Sequence, residues 1–177
     1  GQEGYLGTVL VPRLREAGHE VVGCDAGYFE GCDFSPLESR IPNLAGDIRQ
    51  IETRQLMGVE AVIHLAALSN DPMGNLNPEL TGRINHQAGV RLAVCARAAG
   101  VRRFLFASSC STYGAGGEGI IDESTPLRAL TPYGESKVRS EADLQALAGR
   151  DFCVVSLRNA TAYGLSGIQT MTAAWSA

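Results

Sequence analysis

A chain of 177 residues can fold as one domain with a sizeable core and is short for two. Its 45% hydrophobic and 19% charged residues exclude disordered and fibrous classes. A net charge of −4 with no basic block argues against a nucleic-acid partner, and no apolar run approaches the ~20 residues of a membrane span.

Five cysteines, an odd number without a CxxC pair, fit reduced thiols in a cytoplasmic protein better than a disulfide framework or a metal site. No basic-then-apolar leader pattern opens the chain, which supports the same cytoplasmic expectation.

Gly1, Gly4 and Gly7 form a GxxGxxG, and Thr8 to Leu14 follow with the apolar spacing of a helix. Such glycines let backbone turn tightly and approach a pyrophosphate, whose charge suits a helix N-terminus. His19 to Asp25 then reads as a short buried strand ending in a carboxylate. Asp25 lies 24 positions after Gly1, near the ~20 expected for an acid that binds an adenosine ribose. Because a carboxylate repels a 2′-phosphate, Asp25 points to NAD over NADP. Residues 26–41 read as a connecting loop.

Asn43 to Ile48 is expected to be a strand running into Asp47 and Ile48, and Ile51 to Met57 a short helix. Val59 to Ala67 is nearly continuously apolar, as a strand buried on both faces should be. His64 inside it suits a core histidine more than a metal ligand, since no second ligand has the right spacing. A helix is expected over about 78–99, with Asn85 inside it. Val101 to Ala107 reads as another strand, delivering Ser108-Ser109-Cys110-Ser111 at the end where open α/β sheets bind ligands.

After a glycine-rich turn over 114–119, a helix is expected from about Pro132 to Ala148. It sets Tyr133 and Lys137 at i and i+4, on one helix face. A fixed positive charge favours ionised tyrosine, and this is one way to build a proton-transfer group. Phe152 to Arg158 is the last expected strand. Strand and helix alternate throughout, so the economical fold is a parallel sheet with helices on both faces.

Taken together, these segments resemble the nucleotide-binding part of the extended short-chain dehydrogenase/reductases, the NAD-dependent epimerase/dehydratase family. The resemblance runs from the glycine loop through Asp25, Gly46-Asp47-Ile48, His64-Leu65-Ala66-Ala67, Ser108-Ser109 and Pro132-Tyr133-Gly134-Glu135-Ser136-Lys137 to Leu157-Arg158-Asn159. It implies a Rossmann-type doubly wound sheet that holds NAD on Gly1, Gly4, Tyr5, Leu6 and Gly7. Asp25 would take the ribose, Asp47 and Ile48 the adenine, and Leu65, Ala66 and Ala67 would line the cofactor's path. Asn85 matches a position near the nicotinamide. Tyr133 would be the acid/base and Ser109 would bind the reacting oxygen. Lys137 would lower the tyrosine pKa and hold the nicotinamide ribose.

Where dehydratases of this family carry an Asp-Glu pair after the serine, this chain has Cys110-Ser111. The resemblance therefore favours an epimerase or ketoreductase of a nucleotide-activated sugar over a 4,6-dehydratase. Cys110 has no adjacent His to activate it and reads as a packing residue. A non-sugar alcohol or ketone is the alternative substrate, and a non-catalytic nucleotide-binding fragment the alternative class. Against the family pattern the domain looks incomplete at both ends. A strand before Gly1 and a C-terminal substrate domain are expected to be missing, and 167–177 does not read as the start of that domain. A homodimer is the expected assembly.

Overall fold

The structure is a computed structural model that describes residues 1–30, 32, 41–44, 46–115 and 119–166. Most of the connecting loop after Cys32, the middle of the glycine-rich turn and the stretch 167–177 lie outside the described residues.

Helix α1 spans Gly7–Glu16 and starts at the third glycine of the loop. Strand β1 (Ala61–His64) is followed by two short helices, α2 (Asp71–Leu76) and α3 (Pro78–Thr81). Each opens on an asparagine, Asn70 and Asn77, whose side chain accepts from the N–H three residues on, with proline in the first turn. A π-helical segment, Gly82–Gln87, then leads into α4 (Ala88–Ala98). Strand β2 (Arg103–Ser109) runs into a 3₁₀ turn, Cys110–Tyr113. The long helix α5 (Pro132–Leu147) and strand β3 (Cys153–Asn159) complete the described elements.

The three strands form a parallel sheet in the order β1-β2-β3, with Ala61 opposite Arg103 and Arg103 opposite Cys153. Alternation along β2 sends Phe104, Phe106 and Ser108 to the covered face. There the two phenylalanines meet Leu92, Ala93 and Ala96 of α4, Leu144 of α5, and Phe152. Each fully buried phenylalanine contributes roughly 1.5–3 kcal/mol, so this aromatic layer anchors α4 and α5 over the strands.

Two expected strands are not formed. Between His19–Asp25 and Asn43–Ile48 the described residues make a single parallel bridge, Gly23 with Asn43. Its hydrogen bonds, Gly23 N–H to Pro42 at 2.8 Å and Leu44 N–H to Gly23 at 2.8 Å, stop short of a ladder. Parallel pairs are weaker per residue than antiparallel ones and extend mainly inside wide, covered sheets. The helix expected over Ile51 to Met57 is reduced to one 3₁₀ turn, Thr53–Leu56, preceded by another, Ile48–Gln50.

Candidate active site

At the N-terminal side the glycine loop folds against the end of β1. A Cβ on Gly1 would stand 2.7 Å from the Ala66 nitrogen, and one on Gly7 only 2.4 Å from the Gly1 carbonyl oxygen. These two positions are packed shut. Gly4 is different: its Cβ would meet a single atom, at 3.4 Å. That pattern fits a loop whose outer glycines make the turn and whose middle one leaves room for a pyrophosphate.

Asp25 closes this cluster. Its carboxylate accepts the Glu3 N–H at 3.1 Å and the Gly27 N–H at 3.0 Å, which locks the acid beside the loop. Leu65, Ala66 and Ala67 follow β1 and are partly buried, with Gly1 packed on the Leu65–Ala66 backbone. Tyr5 donates its hydroxyl to the Gly164 carbonyl at 2.7 Å, and Leu6 is exposed.

Asp47 caps the 3₁₀ turn Ile48–Gln50, which opens on Ile48. The Asp47 carboxylate caps its own turn by accepting the Arg49 N–H at 2.8 Å, and it pairs with the Arg49 guanidinium at 2.5 Å. The Arg49 hydrogen bond holds its pKa below the ordinary carboxylate value. Ile48 is buried.

The second cluster gathers around the N-terminus of α5. Thr131 caps that helix, its hydroxyl accepting the Gly134 N–H at 3.1 Å, and Pro132 occupies the first turn. The Thr131 hydroxyl also hydrogen-bonds Asp71 of α2. A Cβ on Gly134 would stand 2.8 Å from the Ser111 carbonyl oxygen, and one on Gly74 2.9 Å from the Tyr133 Cβ. Missing side chains at both places let α5 press against the serine turn on one side and α2 on the other. Tyr133 and Lys137 are thereby buried together, at 8% and 4% exposure.

The Lys137 amine lies 5.6 Å from the Tyr133 ring centre and 4.7 Å from that of Phe106, and it donates to the Ala107 carbonyl at 2.6 Å. Burial pulls its pKa down to about 8, with Glu141 opposing the fall. Lys137 is the only lysine in the chain; every other basic residue among its 15 Lys and Arg is arginine.

The expected lowering of the Tyr133 pKa is not what this arrangement produces. Burial pushes the phenol above its ordinary value; Ser109 opposes the rise, and Asp71 and Cys110 add to it. Desolvation of the phenolate prevails because the Lys137 amine is turned toward Ala107. Ser109 sits at the last position of β2, where its hydroxyl accepts the Ser111 N–H at 3.2 Å.

Asn85 joins the two clusters. It is 1% exposed, and its side chain clamps Leu68 from both ends, accepting the Leu68 N–H at 2.8 Å and donating to the Leu68 carbonyl at 3.1 Å. It also donates to Ser136 of α5 at 3.2 Å. The π-helical segment holds Asn85, and such bulges concentrate at functional sites.

Sequence reasoning missed a second polar layer one turn further along α5. Glu141 accepts from Ser108 at 2.5 Å and pairs with Arg158 at 2.8 Å. Arg158 in turn donates to the Tyr113 hydroxyl at 3.0 Å and the Glu123 carbonyl at 3.1 Å. The available signal was the spacing, since Glu141 follows Lys137 by four residues. An open cavity of about 1130 Å³ lies against this layer, lined by Cys110, Tyr113, Glu141, Leu157 and Arg158 among others. Tyr133, Lys137 and Ser109 sit beside it and do not line it.

The sequence model of the NAD dependent epimerase/dehydratase family matches residues 1–176. The UDP-glucose 4-epimerase of Streptomyces lividans is 35% identical over 150 residues, covering 78% of this chain and 43% of the epimerase. Among solved structures, MoeE5 in complex with UDP-glucose and NAD superposes with a TM-score of 0.78 at 32% identity, covering 89% of this chain and 52% of MoeE5. TunA, an NAD-dependent NDP-hexosamine 5,6-dehydratase, gives 0.81 at 28% identity, with 89% and 52% covered. The chain spans about half the length of the curated relatives it matches. Its parallel sheet is that of the Rossmann-type fold with helices on both faces, represented among the described residues by three strands. The glycine loop, the acid beside it and the buried Tyr-Lys helix thus sit in a chain that belongs to the NAD-dependent epimerase/dehydratase family of enzymes.

Proposed function

We propose that this chain carries the cofactor-binding and proton-transfer part of an NAD-dependent epimerase or ketoreductase acting on a nucleotide-activated sugar. The observation that carries this reading is the joint burial of Tyr133 and Lys137 on one face of α5, against the strand end that bears Ser109. Support for a sugar nucleotide comes from the relatives: one is a UDP-glucose 4-epimerase and another binds UDP-glucose with NAD.

In this reading the loop turned by Gly1 and Gly7 takes the pyrophosphate of NAD at Gly4, and Asp25 takes its adenosine ribose. Leu65, Ala66 and Ala67 wall the path between the two clusters. Tyr5, Leu6, Asp47, Ile48 and Asn85 border the cofactor, with Asp47 keeping its Arg49 partner and Asn85 holding the Leu68 backbone in place. The nicotinamide, when bound, accepts and returns a hydride. The chain's own residues handle the proton. Ser109 donates a hydrogen bond to the sugar oxygen, and Tyr133, in its phenolate form, takes the hydroxyl proton at its phenolic oxygen and gives it back. Lys137, whose amine rests on the Ala107 carbonyl in the free chain, keeps a positive charge near the phenol and would take the nicotinamide ribose once the cofactor is bound.

Cys110 and Ser111 stand where the dehydratase pattern carries two carboxylates, so no acid pair follows Ser109 to assist loss of water. Oxidation and re-reduction of a sugar carbon without elimination is the chemistry this favours.

The test mixes the chain with NAD and UDP-glucose, UDP-galactose or UDP-N-acetylglucosamine, following nicotinamide absorbance and product isomers. Turnover that falls roughly 10²–10⁴-fold in Tyr133→Phe, with NAD still bound, is the expected result. NAD binding without turnover of any of these sugars would overturn the reading in favour of a non-catalytic nucleotide-binding protein.

A further inference from the structure

The buried stripe of α5 has helical spacing but is mostly polar: Tyr133, Ser136, Lys137, Ser140, Glu141 and Leu144. Only the last is a plain core residue. Two of the polar ones reach adjacent residues of β2. Lys137 donates to the Ala107 carbonyl at 2.6 Å, and Glu141 accepts from the Ser108 hydroxyl at 2.5 Å. These are two rungs between one helix and one strand end, a single helical turn apart.

Arg158 fixes the second rung. From β3 its guanidinium meets both Glu141 oxygens, Nε at 3.1 Å to each and Nη2 at 2.8 Å to Oε2. Its remaining nitrogen holds the Tyr113 hydroxyl and the Glu123 carbonyl, and its carbon lies 5.2 Å from the Tyr113 ring centre. A carboxylate this buried, with a forked partner and a hydroxyl donor, is fully satisfied. It is held far more firmly than packing alone requires.

We propose that Glu141 is a positioning residue: clamped by Ser108 and Arg158, it fixes the rotation of α5 over the end of β2 and sets a negative charge one turn from the Lys137 amine. The proposal rests on the role given above to Tyr133 and Lys137, and it assigns the group that keeps them in place.

The groups facing the Lys137 amine are few. From β2 come the Phe106 ring and the Ala107 carbonyl; from β1 comes His64, which burial keeps neutral. On α5 itself the neighbours are Tyr133 and Glu141, with Arg158 of β3 behind Glu141; Asp71 of α2 acts on Tyr133. Glu141 is the group that raises the Lys137 pKa against burial. Without that charge the amine would lose its proton at lower pH.

Because Lys137 is the only lysine, the chain labelled with 13Cε-lysine gives one lysine signal, whose pH titration reads this site directly. In Glu141→Gln, which keeps the shape and removes the charge, the midpoint is expected to fall by about one unit or more. An unchanged midpoint in a folded variant overturns the proposal. Ser108→Ala supplies a second reading if Glu141→Gln does not fold. It keeps the charge and removes a clamp, so amide exchange from Lys137 to Glu141 should quicken several-fold while the lysine midpoint stays within about 0.3 units. Unaltered exchange there also overturns it.

Neither readout needs turnover, so a chain that converts no sugar refutes the proposed reaction and leaves this result to stand or fall separately. Where turnover is measured, Glu141→Gln should shift the pH profile of kcat in the same direction as the lysine midpoint and change kcat more than KM.

Discussion

Gly134 of α5 passes so close to the turn after β2 that a methyl group there would stand 2.8 Å from the carbonyl oxygen of Ser111. Backbone cannot yield as a flexible side chain can, so any substituent must move the helix. Gly134→Ala is therefore expected to cost about 1–3 kcal/mol, the usual range for overpacking. It should also displace Tyr133, the preceding residue, and lower turnover more than NAD affinity. Gly82→Ala is the control, since no heavy atom lies within 4 Å of its Cβ position. It should be neutral or stabilising by up to ~1 kcal/mol. Urea unfolding of both variants checks the contrast; equal stability of the two would contradict the packing argument.

Much of this was legible in the residues. The strand ending in Ser109 and the helix carrying Tyr133 and Lys137 formed within a residue or two of where their apolar runs, caps and glycines placed them. What stayed hidden depended on contacts between elements. His19 to Asp25 has the composition of a strand, but a ladder needs a partner over several residues, and the described residues give it one bridge. The run over 78–99 reads as one helix, yet Asn85 clamps Leu68 from inside a π-helical segment, which periodicity does not reveal. The direction of the Tyr133 pKa was also out of reach. Spacing places the amine on the same face, while the Ala107 carbonyl decides where it points.

His64 gives a pH dependence with a definite sign. It lies between Phe104 and Phe106, with ring centres 6.0 and 5.8 Å away, and its Nε2 is buried without a partner among the described residues. Burial, reinforced by the Lys137 charge, lowers its pKa from 6.5 to about 3. The unfolded chain thus takes up a proton near 6.5 that the folded chain refuses until about 3. Stability is whole above 6.5 and falls as the pH drops through that window, by up to ~1.4 kcal/mol per unit. His64→Leu removes this dependence. The stability of the natural chain minus that of the variant should fall steadily from pH 6.5 to 4. A difference independent of pH would show that His64 titrates normally. Lys137, lowered from 10.5 to about 8, acts with the same sign in the alkaline window, adding stability as the pH rises from about 8 to 10.5.

Asp25 carries the choice between NAD and its 2′-phosphorylated form. The carboxylate is held by the Glu3 and Gly27 N–H groups at 3.1 and 3.0 Å, so it has little freedom to swing away from an added phosphate. Where an acid binds the ribose hydroxyls, a 2′-phosphate meets a fixed like charge. Asp25→Ser removes the repulsion but also loosens the Glu3 backbone, so affinity for both nucleotides should weaken. The informative quantity is the ratio. Dissociation constants measured by calorimetry at one ionic strength should favour NAD at least tenfold in the natural chain, and that preference should drop tenfold or more in Asp25→Ser. A natural chain that binds both forms equally, or a ratio unmoved by the substitution, would place the discriminating group elsewhere on the loop.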